Sequence, residues 1–171
     1  LDLFSLEIDG PGLQFLSELK NLRILNLDYA NIDDAGFGHL SELTNLEELY
    51  LESNELTVAS FKTLSNKQKL RRLSLGMNNI KPDDWQHFPN LAALEFLAIT
   101  GGETTAEGLE NLAKLENLQE LDLAASDITD DKLVHLQALS NIKTLSLENS
   151  QISNAGLHHL YEMDGLTSVS L

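Results

Sequence analysis

The sequence predicts an α/β solenoid in which short parallel strands form a concave sheet and short helices cover the convex side. Three observations predict this fold class. Similar segments recur at one constant interval along the chain. Each segment alternates apolar and polar residues, which is typical of a short strand, and apolar residues three positions apart then follow, which is typical of a helix.

The repeat is clearest from Leu22 onward, where each segment starts twenty-four positions after the one before it, with no insertion. In order they read LRILNLDYANI, LEELYLESNEL, LRRLSLGMNNI, LEFLAITGGET, LQELDLAASDI and IKTLSLENSQI, and the chain ends on LTSVSL. We divide a single domain, 1–171, into six full repeats, called repeats 1 to 6 below: 22–45, 46–69, 70–93, 94–117, 118–141 and 142–165. A shortened repeat occupies 3–21, and a partial repeat occupies 166–171.

The two ends of the chain differ from the full repeats. In the shortened repeat, the segment LFSLEID is aligned so that Ser5, Glu7 and Asp9 face outward from a strand. Solenoids need terminal capping repeats to protect the core, and neither end has an evident polar cap. We therefore expect the chain to be a fragment of a longer protein.

The alternation within a repeat indicates where the core lies. Leu25 and Leu27 are apolar between polar neighbours, which predicts a strand with one buried face, and Phe37 and Leu40 mark one face of the following helix. Residues suited to the helix N-cap precede that face: Asp33, Thr57, Thr105, Thr129 and Ser153. In repeat 3, Pro82 suits the first helical position. Because strands stack about 4.8 Å apart and helices about 8–10 Å apart, the strands must line the inside of the arc.

These segments resemble leucine-rich repeats, whose signature LxxLxLxxNxL runs through essentially the whole chain. The stretches IDDAGFGHLSELTN and ISNAGLHHLYEMDG look like the bacterial ITDAGL variety, which includes GALA-type repeats. The resemblance implies a right-handed leucine-rich-repeat horseshoe that recognises proteins, with no catalysis and no cofactor. The asparagine of the signature is kept only at Asn54 and Asn78, so we do not expect a continuous asparagine ladder.

The composition narrows the class of partner. Eleven basic and 27 acidic residues give a net charge of −16, which disfavours nucleic acid and anionic membranes and favours basic partners. The chain has no cysteine, which excludes disulfides, thiolate catalysis and cysteine-ligated zinc. No apolar run approaches the ~20 residues that span a bilayer, so we expect no membrane insertion. The compartment and the oligomeric state stay open.

Two features that suggest chemistry have structural interpretations. The glycine pair in AITGGETTAEGL falls at the end of a repeat strand, without the lysine of a phosphate-binding loop, and is interpreted as an altered turn. A second interpretation is that Gly101 and Gly102 leave room for a ligand at the rim. Four histidines share one helical position and are expected to face solvent rather than to bind a metal: His39, His87, His135 and His159.

The outward positions of the concave sheet are the predicted binding site. Large side chains occur there among acidic ones, as in an interaction hot spot. The predicted site comprises Ile24, Asp28, Tyr29, Glu48, Tyr50, Glu52, Arg72, Met77, Phe96 and Thr100. Two interpretations stay open for the large residues, namely that they form a binding patch or that their neighbours shield them.

We therefore predict a non-catalytic module that binds a protein or peptide, of basic character, on its concave face. Two other functions remain open. The chain could be the substrate-recognition part of a larger effector or enzyme, or it could be a self-associating structural scaffold.

Overall fold

Seven short parallel strands form one sheet in the computed structural model, which describes residues 1–6, 8 and 10–171. The strands are β1 (Ile24–Asn26), β2 (Glu48–Tyr50), β3 (Arg72–Ser74), β4 (Phe96–Ala98), β5 (Glu120–Asp122), β6 (Thr144–Ser146) and β7 (Ser168–Ser170). They lie in chain order, and each step advances the register by one repeat, so that Leu25 pairs with Leu49 and Leu49 with Leu73. The predicted α/β solenoid is confirmed.

Short helices follow the strands in the full repeats. The α-helices are α1 (Asp34–Gly38), α2 (Ser60–Leu64), α3 (Ala106–Leu112), α4 (Asp130–Leu133) and α5 (Gly156–Tyr161). Three segments form 3₁₀ helix instead: Gly10–Leu16, Pro82–His87 and Val134–Leu136. Repeat 3 therefore has a 3₁₀ segment in place of an α-helix, and Pro82 stands at its start, as predicted.

The core lies between the sheet and the helices and is continuous through the repeats. The inward leucines of the strands are fully or almost fully buried, as are the apolar positions of the helices, such as Phe37 and Leu40. Phe61, Trp85 and Phe88 form an aromatic cluster with ring centroids 5.3–5.8 Å apart. No single repeat could bury these side chains alone, so the stacking of repeats stabilises the fold.

The predicted helix caps are partly confirmed. Asp33 accepts a hydrogen bond from the Gly36 N–H at 2.7 Å, and Thr105 accepts one from the Gly108 N–H at 3.2 Å. Thr129 stands at the N-cap position of α4, but its side chain accepts no capping hydrogen bond there.

Thr57 and Ser153 are not N-caps, and that part of the prediction was wrong. Each hydroxyl accepts from the N–H two residues on and donates to an aspartate of the preceding repeat, Asp34 at 2.6 Å and Asp130 at 2.5 Å. This local hydrogen bonding competes with the first helical turn. As a result, α2 begins at Ser60 and α5 at Gly156.

The N-terminal copy has a different register from the one that the sequence suggested. Asp2 forms a parallel bridge with Asn26, and the Leu3 N–H donates to the Asn26 carbonyl at 2.9 Å. The spacing of the full repeats therefore continues back to the start of the chain, and the copy is not shortened. The alignment was wrong because LFSLEID shows a similar apolar pattern when it is shifted along the chain.

The shift changes the positions assigned to the outward residues of that copy. Ser5 lies in the turn after the bridge, with a φ of 55°, like Tyr29 in repeat 1 with a φ of 57°. Glu7 and Asp9 lie outside the described residues.

Candidate functional site

The concave face of the sheet carries the residues predicted to point outward. In β2, for example, Leu49 is buried, whereas Glu48 and Tyr50 on either side of it are only partly buried, as the alternation of a strand requires. Ile24, Tyr29 and Met77 are 47%, 51% and 51% exposed. The other predicted residues are half-buried: Asp28, Glu48, Tyr50, Glu52, Arg72, Phe96 and Thr100. Ile24, Tyr29 and Met77 are therefore open to solvent, whereas neighbouring side chains partly cover Tyr50 and Phe96; a binding role for these residues stays a prediction.

The middle of the concave face is organised around one arginine. The Arg72 guanidinium carbon lies 4.2 Å from the centre of the Phe96 ring, and its Nη2 lies 3.6 Å from Glu120 Oε2. This cation–π stacking explains why Phe96 is shielded although it points outward. Next to it, the Tyr50 hydroxyl donates to Glu48 Oε2 at 2.8 Å. Burial, followed by the effect of Glu48, raises the pKa of Tyr50.

A pair of carboxylates lies at the carboxyl ends of β1 and β2. Asp28 Oδ1 accepts a hydrogen bond from the Glu52 N–H at 2.6 Å. Burial raises the pKa of both acids, and the negative charge of Asp28 raises that of Glu52 further. In the part of the chain that the structure describes, no basic side chain lies within ion-pair distance of either carboxylate.

Other acids near the concave face are neutralised. Arg23 binds Glu47 through two hydrogen bonds of 2.5 and 2.7 Å, and Arg71 binds Glu95 through two of 2.8 and 3.0 Å. These bidentate pairs run along the edge where the strands begin. Asp28 and Glu52, at the opposite ends of the strands, have no such basic partner among the described residues.

Phe4 belongs to the same surface, although the sequence analysis missed it. Its ring centroid lies 5.4 Å from that of Tyr29, and the side chain is 53% exposed. The register predicted for the N-terminal copy did not assign Phe4 to an outward position. The unbroken spacing of the repeats was the signal that could have found it, because Phe4 then lies beside Asp28 in the stack.

The glycine pair forms part of a turn that all repeats share. The residue at this position has a positive φ throughout, between 54° and 66°, and Gly101 is the one glycine in the set: Ser5, Tyr29, Ser53, Met77, Gly101, Ala125 and Asn149. The backbone therefore does not demand a glycine at Gly101. The side chain of Met77 occupies the space where a Cβ of residue 101 would lie, so the room is filled from within the protein.

The histidines lie on the helix side and do not converge. His39 and His87 are exposed, His135 Nδ1 lies 3.1 Å from Glu110 Oε1, and His159 is half-buried. Among the described residues, no three histidine, aspartate or glutamate side chains come close enough to hold a metal ion. Within the same residues, no helix is long and apolar enough to cross a membrane.

Comparisons with known proteins agree with this architecture. Two family models match, both described as leucine-rich repeat, over residues 44–101 and 18–37. A search of curated proteins finds no match.

Several solved structures have a similar fold. An internalin (inlF) from Listeria monocytogenes is 20% identical with a TM-score of 0.69, and the alignment covers 92% of this chain and 50% of that one. Internalin C2 from the same organism is 25% identical with a TM-score of 0.66, covering 100% and 79%. A leucine-rich repeat protein from Leptospira interrogans is 23% identical with a TM-score of 0.65, covering 90% and 38%. The chain thus spans half the length of the first internalin and less of the Leptospira protein.

The fold, the repeat and these matches define the class of protein. The chain is a leucine-rich repeat protein. Proteins of this class generally serve as protein–protein interaction modules, and they generally do so without catalysis. The more specific ITDAGL or GALA subtype stays a prediction.

Proposed function

We propose that this chain binds a protein or peptide partner on the concave face of its sheet and that it does so without catalysis. One observation carries the proposal: the concave face exposes large apolar side chains beside carboxylates that no basic side chain neutralises. Ile24, Tyr29 and Met77 are each about half exposed there, at 47–51%. Burying them against a partner would be favourable at roughly 25 cal/mol per Å² of apolar surface.

Charge narrows the kind of partner. In the six full repeats, Arg72 is the one basic residue at an outward position of the concave face. Six outward positions there are acidic: Asp28, Glu48, Glu52, Glu120, Asp122 and Glu148. The net charge of the whole chain, −16, has the same sign. A basic protein would be attracted to such a face and would bind it faster at low salt.

The test compares capture of proteins from a source-cell lysate by the wild type and by two matched variants. The concave variant carries Tyr29→Ser and Met77→Ser, because serine occupies the same backbone conformation at Ser53, with a φ of 54°. The control variant carries Phe15→Ser and Tyr161→Ser, which remove strongly exposed aromatic rings, 77% and 84% exposed, from the helices. Circular dichroism establishes that all three proteins are folded.

We expect a partner that the wild type and the control variant capture and that the concave variant loses. A partner captured equally by all three proteins would contradict concave-face binding. A partner lost only by the control variant would place the interaction on the helix side instead.

A further inference from the structure

On the rim of the concave face a small residue stands between two large side chains, and we call the space above the small residue the notch. Tyr29 and Met77 occupy the same turn position in repeats 1 and 3, and both are 51% exposed. Between them, repeat 2 has the small residue Ser53 at that position. Because neighbouring strands lie about 4.8 Å apart, the backbones that carry Tyr29 and Met77 are separated by roughly 10 Å. The two side chains take up part of this separation, and the small Ser53 between them leaves the remainder open.

The walls of the notch are fixed by contacts within the protein. Phe4, in the copy before Tyr29, packs against the Tyr29 ring with the two centroids 5.4 Å apart. On the other side, Met77 lies over Gly101, where no Cβ competes for the space. The contact with Phe4 restricts the Tyr29 ring before a partner binds, which lowers the entropic cost of binding.

Negative charge borders the same notch. Asp28 directly precedes Tyr29 and Glu52 directly precedes Ser53, and Asp28 Oδ1 accepts a hydrogen bond from the Glu52 N–H at 2.6 Å, so both acidic residues lie beside the notch. Each is half-buried, and among the described residues neither forms an ion pair. Burial and mutual repulsion raise the pKa of Glu52, so a cation placed here would relieve an unfavourable interaction.

We propose that the notch binds an extended segment of a partner protein in which a large apolar side chain lies next to a lysine or an arginine. The apolar side chain packs over Ser53 between Tyr29 and Met77, and the cation pairs with Asp28 and Glu52. This inference rests on the proposed function and narrows it to one part of the concave face and one kind of sequence. Charge makes a second copy of this chain a poor occupant, because each copy carries −16.

The turn position itself supplies the variants that test the notch. Ser53→Tyr fills the notch with a residue that Tyr29 already shows to be compatible with this backbone, at a φ of 57°. The matched control, Asn149→Tyr, makes the same change at the same turn position of repeat 6, where φ is 60°. Asp28→Asn with Glu52→Gln removes the charge and keeps hydrogen-bonding groups of the same size.

The experiment selects a displayed library of random peptides on the immobilised wild-type protein and measures synthetic copies of the enriched peptides by fluorescence anisotropy. We expect sequences that place an apolar residue beside lysine or arginine. Their affinity should fall about tenfold or more in Ser53→Tyr and severalfold in the charge variant, as expected when a hot spot is blocked, and should stay unchanged in Asn149→Tyr. Added salt should weaken binding to the wild type but have less effect on the charge variant.

Other outcomes would overturn the inference, and they can be told apart. Peptides that bind Ser53→Tyr normally but lose affinity in Phe96→Ser would leave concave-face binding intact and place the site elsewhere on that face. Enriched peptides without a basic residue would likewise contradict the predicted partner. Peptides unaffected by any concave variant, or no enrichment over an unrelated protein, would contradict the proposed function as well.

Discussion

The two halves of the solenoid connect neighbouring repeats in different ways. Between repeats 1 and 2, the buried amide of Asn54 accepts from the Ile32 N–H at 2.8 Å and donates to the Leu27 and Leu51 carbonyls at 2.9 and 3.0 Å. Between repeats 4 and 5 the signature asparagine is absent. There Asp127 accepts from the Thr104 N–H at 3.0 Å, and Lys132 donates to the Thr104 carbonyl at 2.7 Å and to Asp127.

The difference shows that the backbone groups at a repeat junction need a partner rather than one particular residue. A neutral amide can donate and accept at once, whereas the second junction divides these tasks between an anion and a cation. Both arrangements satisfy polar groups that would be costly to bury unpaired. The ionic version is partly exposed and therefore adds a dependence on salt that the amide lacks.

Among substitutions at the two junctions, Asn54→Ala is expected to change the free energy of unfolding most. The substitution leaves the Ile32 N–H and the Leu27 carbonyl without their partner in a buried site, so we expect a loss of about 2–4 kcal/mol in the free energy of unfolding. Urea denaturation measures it. Asn66→Ala, at an exposed position, should change stability by no more than about 0.5 kcal/mol. Equal effects of the two substitutions would contradict the role given to the amide.

Lys67 adds a buried charge to the asparagine-linked half. It occupies a repeat position that is leucine in most other repeats, and it is fully buried. Its Nζ donates to the Leu40 and Leu43 carbonyls at 2.8 and 3.4 Å. Burial lowers the pKa of Lys67 to about 8, against the weaker opposing effect of Glu42. An unfolded lysine titrates near pH 10.4, so between about pH 8 and pH 10.4 the unfolded state binds more protons.

The free energy of unfolding should therefore rise with pH in that window. Below it, Lys67 should contribute no dependence on pH. We expect a gain of roughly 1–3 kcal/mol in the wild type from about pH 8 to pH 10, and no corresponding gain from this position in Lys67→Met. Urea denaturation of both proteins across this range measures the difference. Both proteins contain the same tyrosines, so subtracting one curve from the other removes the contribution of tyrosine ionisation. Parallel curves would show that Lys67 is not titrating in the folded protein.

A smaller effect is expected from Lys132→Met in the other half. The variant leaves Asp127 without its counter-ion and the Thr104 carbonyl without its donor, at a partly exposed site, so we expect a loss of about 1–2 kcal/mol. Added salt should narrow the gap between the variant and the wild type, as determined by urea denaturation at low and high salt. Lys62→Met, on the exposed surface of α2, serves as the control. A gap that salt leaves unchanged would mean that the ion pair contributes little.

The smallest effect should be a stabilisation. Thr104 occupies a repeat position that is isoleucine or leucine in the other full repeats. The residue is 3% exposed, and its hydroxyl has no hydrogen-bond partner among the described residues. Thr104→Val replaces that hydroxyl with a methyl group of similar size and keeps the backbone bonds to Asp127 and Lys132. We expect a gain of about 1 kcal/mol, which thermal unfolding would detect. A loss of stability would show that the hydroxyl is satisfied in solution.

The sequence was sufficient to predict most of the fold, because one constant period assigns every leucine of the core. It was not sufficient for the details that depend on local competition. Thr57 and Ser153 look like N-caps until the aspartate of the preceding repeat is known to accept their hydroxyls. The N-terminal copy was misaligned because its apolar residues fit two registers; only one of them continues the constant spacing of the repeats, and the strand pairing confirms that one.

Part of the candidate site was also predictable. Alternation placed Tyr29, Tyr50, Met77 and Phe96 on the concave face, but it could not show that Arg72 covers Phe96 or that Ser53 separates two exposed side chains. Such contacts join residues one or more repeats apart, and they depend on side-chain conformations that a periodic pattern does not contain.

The central claim is that the concave rim, and not the helix side, contacts the partner. The most direct test incorporates the photo-crosslinking residue benzoylphenylalanine in place of Tyr29 and, in a second protein, in place of Tyr161, so that each keeps an aromatic ring at an exposed position. Both proteins are irradiated in the same lysate. We predict a crosslinked partner with the Tyr29 replacement that excess unmodified protein competes away, and none with the Tyr161 replacement. Crosslinking of the same partner only through position 161, or equally through both, would contradict the claim.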